Sequence, residues 1–254
     1  MHSRIVVENT SFNSQRHLLL ARIYRPEAEG KYPAVVLCLG YTGNQKFNDL
    51  CEELALNGIV ALMFFYHGTW GSDGDFRVQY LVHGTIDAVM YLRSLDYVDP
   101  ERIGLVSHSM GAVPLTQALA TDGSIKTGVL MAPVSATNGW DLDEVQKLLI
   151  PGFMHMAAGK LSGLTVESPK KGLALFAKEY NPIPAVKKIH VPLLVISGSK
   201  DTVTKPEDCR MLFENANEPK KWVSIEEAEH NFYEHRYPLM KEAINWFNKH
   251  LKST

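Results

Sequence analysis

Ile103-Gly104-Leu105-Val106-Ser107-His108-Ser109-Met110-Gly111-Ala112 is the stretch that decides how this chain folds. An apolar run of strand length, Ile103–Ser107, enters a turn of small residues, and a helical pattern, Gly111–Ala120, leaves it. A serine at the centre of such a strand–turn–helix junction is a nucleophile elbow. The tight turn forces Ser109 into a strained backbone conformation and leaves its hydroxyl exposed. Residues two positions to either side must be small. The usual pattern is G-x-S-x-G; here the flanking pair is Ser107 and Gly111, so Ser107 is a departure that keeps a small side chain. The start of the following helix brings backbone N–H donors close to the hydroxyl.

The same alternation extends in both directions. Ala34–Leu39 and Ile59–Phe65 are continuous apolar runs separated by helix spacing over Phe47–Asn57, with Gly58 suited to cap that helix. Two buried runs joined by a helix imply a parallel sheet covered on both faces. Leu81–Leu95 reads as a helix, Thr127–Met131 as a strand, Leu193–Gly198 and Lys221–Ile225 as the last strands, and Tyr237–Leu251 as an amphipathic closing helix. Upstream, Ile5–Glu8 and Leu18–Arg25 predict an antiparallel hairpin turning at Asn13-Ser14-Gln15. The expected fold is one α/β domain over residues 1–254, interrupted by an insertion at about 134–190. That insertion holds helical candidates at Asp141–Leu149 and Gly172–Tyr180 and prolines at 151, 169, 182 and 184. A connection of this length is usually functional, often a lid. Phe153, Met154, Met156, Ala157 and Ala158 are candidates to line an apolar pocket beneath it. The plainer reading is an insertion that packs on the sheet and touches no substrate.

The whole chain resembles the α/β-hydrolase family. Asp99-Pro100-Glu101-Arg102-Ile103-Gly104 is similar to the lead-in of single-domain esterases and of prolyl-oligopeptidase-like catalytic domains. Leu39-Gly40-Tyr41-Thr42-Gly43-Asn44 resembles their oxyanion loop, and Tyr66-His67-Gly68-Thr69-Trp70-Gly71-Ser72-Asp73-Gly74 their glycine-rich loop. Leu39 stands where the family often has histidine. The resemblance implies the α/β-hydrolase fold, a mostly parallel sheet with helices on both faces and a small helical cap. It also implies a triad in the chain order Ser, acid, His.

The residues lead to the same partners. A serine hydroxyl needs an adjacent base to become a nucleophile, and that base needs a carboxylate to orient it. Asp201 follows the strand Leu193–Gly198 directly, and His230 lies one αβ unit further on, in Glu229-His230-Asn231-Phe232. Glu207 and Asp208 read instead as first-turn helix residues, and His235 and His250 as solvated helix positions. The backbone N–H groups of Met110 and Tyr41 are the expected oxyanion donors. The Tyr41 hydroxyl either reaches a substrate or packs at the surface, and Trp70 either borders the pocket or packs on the sheet edge.

Composition closes off other classes. With 26 Lys plus Arg against 28 Asp plus Glu, the chain lacks the basic footprint of a nucleic-acid binder. Cys38, Cys51 and Cys209 have neither zinc nor redox spacing, which favours a reducing compartment, with Cys38 in the core. Met1–Thr10 has no apolar signal segment and no run is long enough to span a bilayer, so the expectation is a cytoplasmic protein without membrane contact. No dinucleotide, phosphate-loop or metalloprotease pattern is present, and His67, His83 and His108 read as structural; no cofactor and no metal are expected. The expected partners are a small-molecule ester and, in an assembly, a second copy of the chain. The expected activity is a serine carboxylesterase of small-acyl or feruloyl type. The alternatives are a prolyl-oligopeptidase-type peptidase or amidase, a thioesterase, and a non-catalytic binding protein. Only about 33 residues precede the first long strand, which leaves no room for a propeller there.

Overall fold

The computed structural model describes residues 4–43, 47–165 and 167–252. Its centre is one eight-stranded sheet in the order β1-β2-β4-β3-β5-β6-β7-β8. The strands are β1 Ile5–Ser14, β2 His17–Pro26, β3 Tyr32–Cys38, β4 Val60–Phe64, β5 Val98–His108, β6 Thr127–Met131, β7 Leu193–Gly198 and β8 Lys220–Ile225. β1 and β2 form an antiparallel hairpin that pairs antiparallel with β4, and β4 through β8 are mutually parallel. The fold is the α/β-hydrolase fold expected from the sequence.

Four central strands are apolar because both of their faces are covered. β3 is buried from Pro33 to Cys38, and β4, β6 and β7 are buried throughout. Helices α1 (Asn48–Leu56) and α8 (Arg236–Phe247) touch each other on one side. α2 (Val78–Arg93), α3 (Ala112–Thr121), α6 (Pro182–Val186) and α7 (Pro206–Asn215) run as a contacting series on the other. The chain steps from β3 to β4 in one direction, then returns past β3 to β5 and continues the opposite way. The sheet order therefore reverses at the β3/β5 boundary, the position where open α/β sheets leave a crevice beyond their carboxyl ends. Ser109 follows β5 and Tyr41 follows β3 at that boundary.

Several boundaries differ from the sequence expectation. The hairpin turns at Gln15-Arg16, both with positive φ, rather than at 13–15, and β1 runs the full length to Ser14. Helix α4 (Asp143–Ala157) continues past Pro151 instead of ending at Leu149. Pro151 faces solvent, where the carbonyl it leaves unbonded can be hydrated. The second helix of the insertion is α5 (Ser168–Lys178), and α6 was not foreseen. Because α6 packs on α3, it belongs to the layer covering the sheet and not to the cap. Met1–Ser3 and Asn44, part of two stretches interpreted above, lie outside the described residues.

The glycine-rich loop is anchored by His67. This side chain is wholly buried, and its Nε2 donates to the Ser14 carbonyl at 3.1 Å. Tyr80 lies against its ring, His17 meets it edge-on, and His83 and Asp87 are charged or titratable neighbours. Burial is the main cause that lowers the His67 pKa; the Ser14 carbonyl and Asp87 oppose it, and His17 and His83 add to it. The folded protein therefore binds this proton less readily than the unfolded chain. The stability His67 contributes is complete above the unfolded value of about 6.5 and is lost as pH falls through the folded one. We expect the melting temperature to drop below about pH 6.5, and the drop to be smaller in His67→Gln, measured by thermal unfolding across pH 4.5–8, roughly the range in which histidine titrates.

Candidate active site

Ser109 adopts φ 56°, the left-handed conformation an elbow demands. A 3-10 turn, Ser109–Gly111, leads into α3. The two flanking positions are not equivalent. A Cβ on Gly111 would lie 2.1 Å from the Cys38 carbonyl oxygen, so glycine is required where the elbow crosses the end of β3. Ser107 lies in β5 between Cys38 and Leu130 and is fully buried, so a small side chain fits there. Its hydroxyl has no hydrogen-bond partner among the described residues.

The sequence candidates Ser109, Asp201 and His230 meet. The Ser109 hydroxyl lies 3.0 Å from His230 Nε2, and His230 Nδ1 lies 2.8 Å from Asp201 Oδ2. Three separate strand ends supply these groups, and backbone contacts hold the strand ends in place. Gly198, at the end of β7, passes so close to the His230 loop that a Cβ would fall 2.4 Å from the Ala228 carbonyl oxygen. Lys200 N–H donates to that carbonyl at 2.9 Å.

Asp201 is buried but well supplied with donors. Its Oδ1 accepts the N–H of Val203 at 2.7 Å and of Thr204 at 2.9 Å, and its Oδ2 accepts from the Thr204 hydroxyl at 2.8 Å besides His230. Burial pushes this carboxyl up. The bond and charge of His230, with those of Thr204 and Val203, outweigh burial and hold the pKa below the ordinary carboxylate range.

Thr204 was missed in the sequence. Its hydroxyl sits 3.0 Å from the Ala132 carbonyl and 3.2 Å from His230 Nδ1, at the junction of β6, the acid and the base. Only the spacing Asp201-x-x-Thr204 hinted at it. Removing this donor in Thr204→Val should lower kcat about tenfold with KM little changed, since one bond to a charged group is worth roughly 1.5–3 kcal/mol. Steady-state kinetics beside a thermal melt would show whether the loss is in chemistry or in folding.

His108 lies behind His230. Its Nε2 donates to the His230 carbonyl at 2.8 Å, and its ring lies between Phe47 and His230, with both centroids 4.8 Å away. Arg236 of α8 covers Phe47 and binds Asp49 of α1 through its Nε at 2.7 Å. His67 and His108 thus have structural partners, and Glu207 and Asp208 sit in the first turn of α7. His250 is half-buried against Trp246 rather than solvated, and His235 is also only partly exposed.

A cleft of about 390 Å³ reaches the elbow at Met110, the residue after Ser109. Tyr41 and Met110, the residues carrying the expected oxyanion donors, are among its lining, and Phe76, Val78, Phe153, Leu173 and Phe176 form apolar walls. Of the insertion residues expected to line a pocket, Phe153 does so. Met156 is turned to solvent and Ala157 is buried, and neither these nor Met154 and Ala158 line this cleft. Trp70 is exposed and does not line this cleft. Its indole N–H donates to the Thr42 carbonyl at 2.9 Å and ties the glycine-rich loop to the loop after β3. Among the described residues no group of three His, Cys, Asp or Glu side chains is placed to hold a metal ion. No helix among them is long and apolar enough to cross a membrane.

Comparison with known proteins bears on the fold and the family. An uncharacterised protein of Mycobacterium tuberculosis (strain ATCC 25618 / H37Rv) is 28% identical over 220 residues, covering 86% of this chain and 70% of that protein. Est1E of Butyrivibrio proteoclasticus, solved with ferulic acid bound, superposes with a TM-score of 0.76 at 19% identity over 96% of this chain and 100% of that one. An acetyl xylan esterase from Paenibacillus sp. R4 gives 0.75 at 14% identity, over 95% and 84%. The model of the prolyl oligopeptidase family matches residues 69–254, well over half the chain and the part that holds Ser109, Asp201 and His230. The chain therefore belongs to the prolyl oligopeptidase family and is a hydrolase of the α/β-hydrolase fold.

Proposed function

We propose that this protein is a serine hydrolase of carboxylic esters, acting through an acyl-enzyme on Ser109. The observation that carries the reading is the continuous chain of contacts from Ser109 Oγ to His230 Nε2 at 3.0 Å and from His230 Nδ1 to Asp201 Oδ2 at 2.8 Å. His230 takes the hydroxyl proton as Oγ attacks the acyl carbon. The developing oxyanion is held by the N–H groups of Met110 and Tyr41. His230 then returns the proton to the departing alcohol, and the C–O bond breaks. Water, deprotonated in turn by His230, releases the acid and restores Ser109. Asp201 keeps the imidazole in the tautomer with hydrogen on Nδ1 and stabilises its cation. No step calls for a cofactor or a metal.

The apolar cleft walls suit a small acyl or aryl-acyl group; of the structural relatives described above, one is an acetyl xylan esterase and the other was solved with ferulic acid bound. A second reading, a peptidase or amidase, has one observation in its favour, the family to which the chain belongs. Hydrolysis of p-nitrophenyl esters of two to twelve acyl carbons, with an aminoacyl anilide alongside, separates the two. Ester turnover that fades with chain length supports the small-acyl esterase. Anilide turnover without ester preference replaces it with the peptidase. Failure of both, with no labelling by a serine-directed phosphonate, overturns the catalytic reading.

A further inference from the structure

Three segments close a ring around the cleft. The loop after β3 is joined to the glycine-rich loop by the bond from Trp70 to the Thr42 carbonyl. The glycine-rich loop is joined to the cap by main-chain bonds from Ser162 N–H to the Gly68 carbonyl at 2.8 Å and from Phe76 N–H to the Ser162 carbonyl at 2.9 Å. Among the described residues, the cap returns to the loop after β3 through the side chain of Tyr41. Its hydroxyl donates to the Phe153 carbonyl near the end of α4 at 3.1 Å, where the helix dipole presents its negative pole. Its ring meets Phe153 edge-on at 4.9 Å and Phe76 at 5.7 Å. Burial pushes the hydroxyl up to about 12, so it stays protonated and remains a donor throughout the working pH range.

The other end of Tyr41 lies against the nucleophile. Gly40 is pressed onto the elbow: a Cβ there would be 3.1 Å from Ser109 Cβ and 3.2 Å from the His108 carbonyl oxygen. A tight turn, Gly43 N–H to the Gly40 carbonyl at 2.6 Å, encloses Tyr41 and Thr42. The residue that donates a side-chain bond to the cap is thus fixed, one residue away, against Ser109.

We propose that the Tyr41 hydroxyl clasps the cap to the loop after β3, so that seating of the cap sets the position of the Tyr41 N–H beside Ser109. Tyr41 is then a positioning residue through its side chain, in addition to the backbone role given to it above, and the inference rests on that reading of the site. A cap displaced by an ill-fitting acyl group would misplace the donor and slow the chemical step. Selection among acyl groups would therefore register in kcat as well as in KM.

The test is Tyr41→Phe, which keeps the ring, its edge contacts and the backbone N–H. Two readouts are compared with wild type: kcat and KM on p-nitrophenyl acetate and octanoate, and amide hydrogen exchange over α4. The clasp predicts kcat down about tenfold with KM within twofold, together with exchange about tenfold faster in the last turns of α4. Unchanged kcat overturns the proposal. A fall in kcat with unchanged exchange also overturns it, because the hydroxyl would then act on the reacting oxygen directly and not through the cap. Unchanged exchange does so even if kcat cannot be read. Loss of the esterase reading itself would look different: wild type would neither turn over ester nor take up the phosphonate, while the exchange comparison still reports on the clasp.

Discussion

Ser109→Ala should abolish ester hydrolysis, with a fall in kcat of roughly 10⁴-fold or more, while the protein stays folded. The size follows from the way the site is built. The hydroxyl is the attacking atom, and the imidazole 3.0 Å away has no other proton to take from the enzyme in that step. What remains is the residual catalysis of the oxyanion donors and of binding, which in serine enzymes survives loss of the nucleophile. The fold should tolerate the change. Ser109 already has φ 56°, alanine meets the same backbone strain, and the Ser109 carbonyl still accepts from Val134 N–H at 3.0 Å. A melting temperature within a few degrees of wild type, with no phosphonate label, is the expected pair of results. Full activity in this variant would remove Ser109 from the mechanism.

The second large effect concerns folding. Gly111→Ala should destabilise the protein by about 4 kcal/mol or more, the tail reserved for named steric failures. A Cβ at this position would stand 2.1 Å from the Cys38 carbonyl oxygen, 2.7 Å from its carbon and 2.9 Å from the Leu39 carbonyl oxygen. These are backbone atoms of β3 and of the loop after it, so no side-chain rotation relieves them. Relief requires moving the elbow off β3, which also separates Ser109 from Tyr41. Alanine at Ser107 provides the contrast: that site is a buried hydroxyl without a partner, and the change should cost little. Denaturant unfolding of both variants is the check, and a Gly111→Ala protein as stable as wild type would refute the steric argument.

The fold was legible where burial is two-sided. Thr127–Met131 and Leu193–Gly198 match their strands end for end, since an uninterrupted apolar run bounded by polar residues has one reading. β1 was under-read because its outer stretch, Asn9-Thr10-Ser11, is polar and the strand lies at the sheet edge. Its turn was misplaced because Gln15 and Arg16 take positive φ without being turn-forming types. α4 was cut short at a proline that a solvent-facing helix accommodates. α6, five residues containing two prolines, carries no periodicity to read. The meeting of Ser109, Asp201 and His230 could be foreseen because each follows a strand at its carboxyl end. Thr204, His108 and the bond of Tyr41 to the cap could not be assigned, because their roles exist only through contacts between residues distant in the chain.

The glycine-rich loop and the returning end of the cap are joined by Ser162 and Phe76 through peptide groups alone, and Thr69 and Leu161 add a bridge of the same kind. Peptide groups are the same whatever side chains they carry. The cap can therefore exchange its lining residues through drift or design without losing its seat, so new selectivities can be tried on this scaffold one side chain at a time. The constraint falls instead on Gly163, where a Cβ would sit 2.2 Å from the Asp75 carboxylate carbon, and on Gly68, where it would meet the Phe76 nitrogen at 2.4 Å. A library that holds these two positions and Phe153 fixed and varies Leu173 and Phe176 would explore acyl preference on a backbone that does not have to be rebuilt each time.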